Sequence, residues 1–268
     1  MPQPATYSCA LITGASAGLG EEFALQLAPR VAKLVLVARR ESLLRQVAQR
    51  VRAVNPAVEV LVYAADLTDH GEREDLVENL ILQRFVPDLL VNNAGLGDYG
   101  EFVTADWAKV RAMLGLNIEA LTHLTHALLP AMIRCGHGAV LNVSSLASLL
   151  PLPDLAVYAA TKAYVTSFSE ALRIELKEHG IPVLAVCPGP VHTEFGEVAR
   201  RHDGGREIPG HRCFNVPKEQ VVAEALAALD QKRARVYPGL KTAAAALLIA
   251  ALPIVAIRLV MGWRPRKC

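Results

Sequence analysis

The chain is poor in the residues that build disulfide or metal scaffolds. Its five cysteines, Cys9, Cys135, Cys187, Cys213 and Cys268, are odd in number and form no CxxC pair. That pattern excludes a disulfide framework and points to a reduced, intracellular, cytoplasmic protein. None of the eight histidines falls in HExxH spacing, so no metal site is expected, and His123 and His126 read as ordinary helix-surface residues. Aromatic side chains make up only 5% of the sequence. The first residues, Met-Pro-Gln-Pro-Ala-Thr-Tyr, lack the basic stretch and apolar run of a signal peptide. No internal repeat is visible. Acidic residues are absent after Asp230: residues 231–268 carry eight Lys/Arg and no Asp or Glu, whereas residues 1–230 have 20 basic and 26 acidic residues, net −6. An acidic main body has no basic surface for phosphate backbones, which excludes a nucleic-acid partner.

What is present is apolar. Hydrophobic residues make up 52% and charged residues 20% of 268 residues, enough for one large core. Short, near-continuous apolar runs read as strands at Tyr7–Thr13, Lys33–Ala38, Val58–Tyr63, Asp88–Val91, Ala139–Val143 and Pro182–Cys187, with a further short strand near Arg235–Tyr237. Runs of that kind fit a sheet covered on both faces. Helical patterns alternate with them at 18–28, 41–54, 69–84, Ala105–Met132, Leu155–His179 and 217–230. Strict alternation predicts parallel strands and right-handed crossovers, hence a Rossmann-like, doubly wound α/β fold in three layers. The expected division is a dinucleotide-binding domain over 1–237 and an apolar, basic-flanked, helical tail over 238–268.

The first strand runs into Thr13-Gly14-Ala15-Ser16-Ala17-Gly18-Leu19-Gly20. A glycine-rich turn that delivers a helix N-terminus lets a pyrophosphate approach the backbone, and the helix dipole favours its charge. The same turn also serves tight strand–helix packing. The second strand ends in Ala38-Arg39-Arg40. An acid there would bind a ribose 2′-hydroxyl; arginines suit a 2′-phosphate, so the expected cofactor is NADP(H). Asp66, after the third strand, either accepts from an adenine amino group or caps the next helix.

Further motifs follow in order: Asn92-Asn93-Ala94-Gly95, Asn117 within Leu116-Asn117-Ile118, Ser145 after the fifth strand, Tyr158 and Lys162 as YxxxK, and Pro188-Gly189 leading to Thr193. Together, over roughly residues 7–237, they resemble the short-chain dehydrogenase/reductase family. The resemblance implies an oxidoreductase moving hydride between NADP(H) and a carbonyl or secondary alcohol through a Ser145–Tyr158–Lys162–Asn117 site. Tyr158 and Lys162, four apart, share one helix face. A free tyrosine, with pKa ~10, is a poor acid–base near neutrality, and a neighbouring ammonium is expected to lower that value. Ser145 would donate to the substrate oxygen as charge develops. By the resemblance, Lys162 also holds the nicotinamide ribose and Asn117 a relay water. Gly14, Ser16, Gly18, Leu19 and Gly20 would line the diphosphate, and Asn93, Ala94 and Gly95 the adenosine ribose. Pro188, Gly189, Val191 and Thr193 would approach the nicotinamide.

Residues 194–216 read as a substrate lid with hinge glycines Gly196, Gly204, Gly205 and Gly210. Its Arg200, Arg201, Arg206 and Arg212 would either meet the phosphates of an acyl carrier or be solvated. Tyr99, Phe102 and Phe195 are candidates for an apolar substrate wall. The uncharged run Ala243–Ile257 is shorter than the ~20 residues of a spanning helix. With Lys241, Arg264, Arg266, Lys267 and Trp263 it suits a membrane surface over 239–263, or packing on protein. The resemblance further implies a homodimer or homotetramer formed through the helices at 105–132 and 155–179. Two other functions fit the motifs: a 3-oxoacyl-thioester reductase of lipid metabolism, and a non-catalytic, membrane-attached dinucleotide sensor.

Overall fold

The computed structural model describes residues 7–201 and 215–262. Seven strands form a wholly parallel sheet in the order β3-β2-β1-β4-β5-β6-β7. They are β1 (Tyr7–Thr13), β2 (Val31–Ala38), β3 (Glu59–Ala64), β4 (Leu89–Asn92), β5 (Ala139–Val143), β6 (Val183–Val186) and β7 (Arg235–Val236). β1 lies between β2 and β4, so the winding reverses there and opens a crevice beyond the strands' C-terminal ends.

Helices cover both faces. One core packs α1 (Gly18–Leu27), α2 (Glu41–Val54) and α8 (Lys218–Asp230) on the sheet through Phe23, Leu44, Val51 and Leu226. The other packs α3 (His70–Leu82), α5 (Leu121–Cys135) and α6 (Ala156–Glu175) through Leu76, Leu80, Leu124, Leu128 and Leu172. Ile12 and Leu36 point to the first core, Leu11 and Val35 to the second, all fully buried. Alternate residues of these strands therefore serve opposite faces, which is why the runs carry no polar alternation.

Three boundaries differ from the periodicity. The helical stretch predicted over 105–132 is α4 (Trp107–Leu114), a π-helical turn over Gly115–Ala120, and then α5. A widened turn re-aims the residues within it: Asn117 is buried, while Glu119 reaches the fully buried Arg73. The segment after Pro190, predicted as loop, contains α7 (Phe195–Ala199). The tail is two helices, α9 (Leu240–Ala251) and α10 (Ile254–Gly262), broken at Leu252-Pro253, where proline cannot continue the hydrogen-bond ladder. Trp263, Arg264, Arg266 and Lys267 lie outside the described residues.

A buried polar chain ties the centre of the sheet to two helices. Asn92 Nδ2 donates to Thr125 Oγ1 and to Asn142 Oδ1, each at 2.9 Å, and Asn142 Nδ2 donates to Ser169 Oγ at 2.9 Å. Leaving a buried polar group unpaired costs about 1–3 kcal/mol. Asn142→Leu removes one of the two acceptors of Asn92 Nδ2 and the donor to Ser169 Oγ, leaving Asn92 only Thr125 and Ser169 only the Val165 carbonyl oxygen. It should therefore lower the thermal midpoint by several degrees, as read by circular dichroism; an unchanged midpoint would mean these links contribute nothing to stability.

Candidate active site

The glycine turn after β1 is shaped by contacts that leave no room for side chains. Gly14 has φ +66°, and a Cβ there would lie 2.9 Å from Ala94 Cα. A Cβ on Gly20 would lie 2.2 Å from the Gly14 carbonyl oxygen. Asn93 fastens this turn by donating from Nδ2 to the Thr13 carbonyl oxygen at 2.9 Å, while Thr13 Oγ1 accepts from the backbone of Asn93 and Ala94 at 3.0 Å. Helix α1 starts beyond it without a side-chain cap on its first N–H groups. Those donors are thus left for a ligand anion.

A cavity of about 590 Å³ runs from this turn along the ends of the strands. Arg39, Arg40, Asp66 and Thr68 line one end, and Gly14, Ser16, Gly18, Leu19, Asn93, Ala94 and Gly95 its floor. Ser145, Tyr158, Lys162, Pro188, Gly189, Val191 and Thr193 lie at the other end. Gly20 and Asn117 stand behind the wall. Arg39 is exposed, 3.9 Å from Asp66 Oδ2. Its neighbour Arg40, read with it as suited to a 2′-phosphate, donates to Ser16 Oγ at 3.3 Å and to Glu194 Oε2 at 2.9 Å, bridging the glycine turn to the segment after Thr193. Of the two readings of Asp66, the capping one is overturned: the N-cap of α3 is Asp69, while Asp66 Oδ1 accepts from Thr68 N and Oγ1 at 3.0 and 2.8 Å and the residue lines the cavity.

Helix α6 carries Tyr158 and Lys162 on its cleft-facing side. Lys162 is 4% exposed, and its Nζ donates to the Val143 carbonyl oxygen at 2.8 Å. Burial pushes its pKa down to about 8. Tyr158 is half-buried, with Lys162 Nζ 5.8 Å from its ring centroid. Burial pushes its hydroxyl up to about 12, against a smaller lowering from a hydrogen bond with Ser145. The expected lowering of the tyrosine by its lysine is therefore absent in the protein alone: the ammonium is spent on Val143, and loss of water dominates. Ser145 starts the 3-10 turn Leu146–Leu149, and its Oγ accepts from Ala147 N at 3.1 Å. Leu146 N donates to the Pro188 carbonyl oxygen at 2.8 Å, joining that turn to the end of β6.

Asn117 is 1% exposed. Its Oδ1 accepts from Leu96 N at 2.8 Å, and its Nδ2 donates to the Leu96 carbonyl oxygen and to Thr161 Oγ1 at 2.9 and 3.0 Å. The side-chain amide is thus engaged in holding the 95–97 loop against α6. A Cβ on Gly95 would be 3.4 Å from both Asn117 Oδ1 and Lys162 Nζ, so the three groups meet behind Tyr158.

The pocket beside Tyr158 is aliphatic. Leu146, Leu150, Leu152, Leu155 and Val198 line it, with Phe195, whose ring centroid lies 5.6 Å from that of Tyr158. Of the three predicted wall aromatics only Phe195 is there: Tyr99 is buried and bridges to Arg200, and Phe102 faces outward at 61% exposure. The leucines escaped the sequence reading because they fall in an irregular segment without periodicity.

The lid arginines divide. Arg206 and Arg212, with Gly204, Gly205 and Gly210, lie outside the described residues. Arg200 is exposed. Arg201 is neither solvated nor aimed at a phosphate: its Nε donates to Asp98 Oδ1 at 3.0 Å and its Nη1 to Thr104 Oγ1 at 2.8 Å. Lys109 reaches Asp98 Oδ1 at 3.3 Å and the Val198 carbonyl oxygen at 3.1 Å. Burial works to raise the Asp98 pKa, but hydrogen bonds from Arg201 and Lys109 outweigh it and hold the carboxyl below its usual range. A depressed acid contributes stability above its unfolded pKa and loses it as pH falls through the folded one. The clamp is therefore intact at neutral pH.

A separate cluster lies away from the cleft: ligand-type atoms of His70, Glu74 and His123 fall within 4.8 Å of one another. The Arg73 guanidinium, 3.3 Å from His70 Nδ1, supplies positive charge there. Burial first, then Arg73, lowers the His123 pKa.

The sequence profile described as short chain dehydrogenase matches residues 8–204. A very-long-chain 3-oxoacyl-CoA reductase of Anas platyrhynchos is 35% identical over 203 residues, 74% of this chain and 64% of the relative. An 11-beta-hydroxysteroid dehydrogenase of Pinus massoniana is 38% identical over 186 residues, 69% of this chain and 51% of the relative. The matches thus span less than two thirds of those relatives' lengths. A short-chain dehydrogenase from Sphingobium yanoikuyae, solved in complex with NADPH, superposes with a TM-score of 0.80 at 31% identity, covering 97% of this chain and 98% of the other.

Asp98→Asn keeps the shape of the clamp but removes its charge. Breaking a buried ion pair costs about 3–5 kcal/mol when one partner is left uncompensated. The variant should raise the KM of whatever substrate fills the leucine pocket severalfold, with little change in dinucleotide affinity; equal KM values would show that the clamp does not shape the pocket.

Proposed function

The chain belongs to the short-chain dehydrogenase family, and from that footing we propose that it is an NADP(H)-dependent reductase of lipophilic ketones, or the dehydrogenase of the matching secondary alcohols. The observation that carries the reading is the meeting of Ser145, Tyr158 and Lys162 at one end of a dinucleotide-sized cleft, against an aliphatic pocket.

The cleft fits the cofactor on its own chemistry. The glycine turn leaves space that a Cβ would fill, α1 presents uncapped N–H donors, and two arginines rather than an acid stand after β2. Gly14 to Leu19 would hold the diphosphate, Arg39 with Arg40 the 2′-phosphate, and Asn93 to Gly95 the ribose. Val191 and Thr193 would hold the nicotinamide end. When bound, the cofactor supplies or accepts hydride. Tyr158 donates the proton to the carbonyl oxygen in reduction and takes it back in oxidation. Ser145 donates a hydrogen bond to that oxygen as negative charge builds. Lys162, in its ammonium form, stabilises the tyrosinate left behind. Asn117 positions Lys162 by locking Leu96 to α6. The leucines exclude water and favour an apolar carbon skeleton. The family's habit of self-association makes a homodimer or homotetramer part of this reading, and its tail a peripheral seat on a membrane. A 3-oxoacyl thioester is the second substrate reading, favoured by the name of the Anas platyrhynchos relative and the same leucine pocket.

Tyr158→Phe tests the assignment: turnover should fall by at least a hundredfold, within the range usual for a lost general acid, while NADPH affinity by fluorescence titration stays within about threefold. Equal turnover would refute the proton donor, and no turnover in either protein with NADPH still bound would favour a cofactor sensor. The pH profile gives a second check. Lys162 is charged below about 8 and loses its proton as pH rises through that value, whereas Tyr158, at about 12, stays protonated. The reductive rate should therefore decline tenfold per unit above about pH 8 through one ionisation; a flat profile to pH 10 would contradict the role of the lysine.

A further inference from the structure

The tail helices leave an apolar surface that the rest of the fold does not use. At about 3.6 residues per turn, Leu240, Ala244, Leu247, Leu248 and Ala251 share one face of α9. All of them are exposed, Leu240 at 91%, Leu247 at 73% and Leu248 at 65%. The opposite face, Thr242 and Ala246, is buried. After the proline break, Ile254, Val255 and Leu259 of α10 are also exposed, while Ile257 is buried. Neither helix is long and apolar enough to cross a bilayer.

The inner face of α9 is not placed at random. It packs on the 3-10 turn Leu146–Leu149, the turn that begins at Ser145 and supplies Leu146 and Ala147 to the pocket wall. The root of the tail is fixed as well: Gly239 N donates to Glu224 Oε2 of α8 at 3.0 Å. The apolar face is thus held by a packed helix directly behind the substrate end of the cleft.

Charge selects the occupant. Residues 231–268 carry eight Lys/Arg and no acid, against a net −6 for residues 1–230. Lys241 and Arg258 flank the exposed leucines, long enough to reach headgroups while their stems lie in the apolar layer. An apolar strip edged by cations alone is complementary to an anionic lipid surface. A second copy of the same strip would bring cations against cations.

We propose that the exposed faces of α9 and α10 form a docking surface for an anionic phospholipid bilayer, seating the leucine pocket next to the lipid so that apolar substrate enters from the membrane rather than from water. This inference rests on the reductase reading for its substrate, but not for the docking itself.

The test uses the full chain and the variant carrying Leu247→Glu with Leu248→Glu, neither residue being in the cleft. Co-sedimentation is measured with vesicles of phosphatidylcholine alone and of phosphatidylcholine mixed with phosphatidylglycerol. The wild type should sediment with the mixed vesicles, less so as salt rises, and the variant should lose at least tenfold in partitioning at equal size and thermal midpoint. Turnover of a ketone dissolved in the vesicles should fall at least tenfold in the variant, while turnover of a water-soluble ketone stays equal. Absence of wild-type sedimentation, or a variant that sediments equally, overturns the docking. A variant that falls apart into smaller species overturns it in favour of a second copy covering the strip. Equal turnover of the vesicle-borne ketone by both proteins overturns delivery from the membrane. If neither protein turns over the soluble ketone, the reductase reading fails, and sedimentation still decides the docking.

Discussion

The site is organised around one buried cation. Lys162 sits at 4% exposure with its ammonium on the carbonyl oxygen of Val143, and among the described residues no carboxylate pairs with it. An unpaired ammonium in the interior is costly, and its lowered pKa records that cost. The surrounding fold is arranged to hold it there. β5 ends in the carbonyl that accepts from it, and Ser144 Oγ donates to the Lys162 carbonyl oxygen at 2.8 Å. The π turn brings Asn117 alongside, and Asn117 in turn fixes the Gly95 loop that forms the cleft floor. A cation kept in such a place, next to a tyrosine and open on one side to a cavity, is poised for proton chemistry.

From that point the cleft divides into two environments. Toward β2 and β3 it is made of backbone N–H groups, arginines and glycines, a setting for phosphate. Toward the Leu146–Leu155 segment it is aliphatic and covered by Phe195, with the lid root clamped by Asp98, Arg201 and Lys109. In the proposed reading the reacting carbon lies where the two meet, within reach of Ser145 and Tyr158. The tail extends the second environment outward, since α9 rests on the turn that carries the pocket's wall.

The strands were legible because both faces of the sheet are buried, which writes them as unbroken apolar runs. The glycine turn, Ser145 and Pro188 were legible because spacing in sequence reflects their shared position just beyond the ends of strands, and YxxxK because residues four apart share one face of a helix. What escaped were interactions between distant segments. Asp98 and Arg201 are 103 residues apart, and nothing local marks either as half of a buried clamp. The leucines of the pocket lie in an irregular stretch with no period to betray them. Asn117 was legible as a residue but not its π turn, which no hydrophobic pattern announces. The direction of the tyrosine's pKa could not be read from an i, i+4 lysine, because it depends on burial and on where the ammonium points.

The central claim is that this cleft transfers hydride to an apolar ketone from NADPH. The most direct measurement is oxidation of NADPH by the purified protein across short ketones, long-chain aldehydes, steroids and 3-oxoacyl thioesters, with NADH in parallel. The account predicts turnover on bulky apolar carbonyls and a preference for NADPH. Silence across the whole panel while NADPH remains tightly bound, or equal use of NADH, would contradict it.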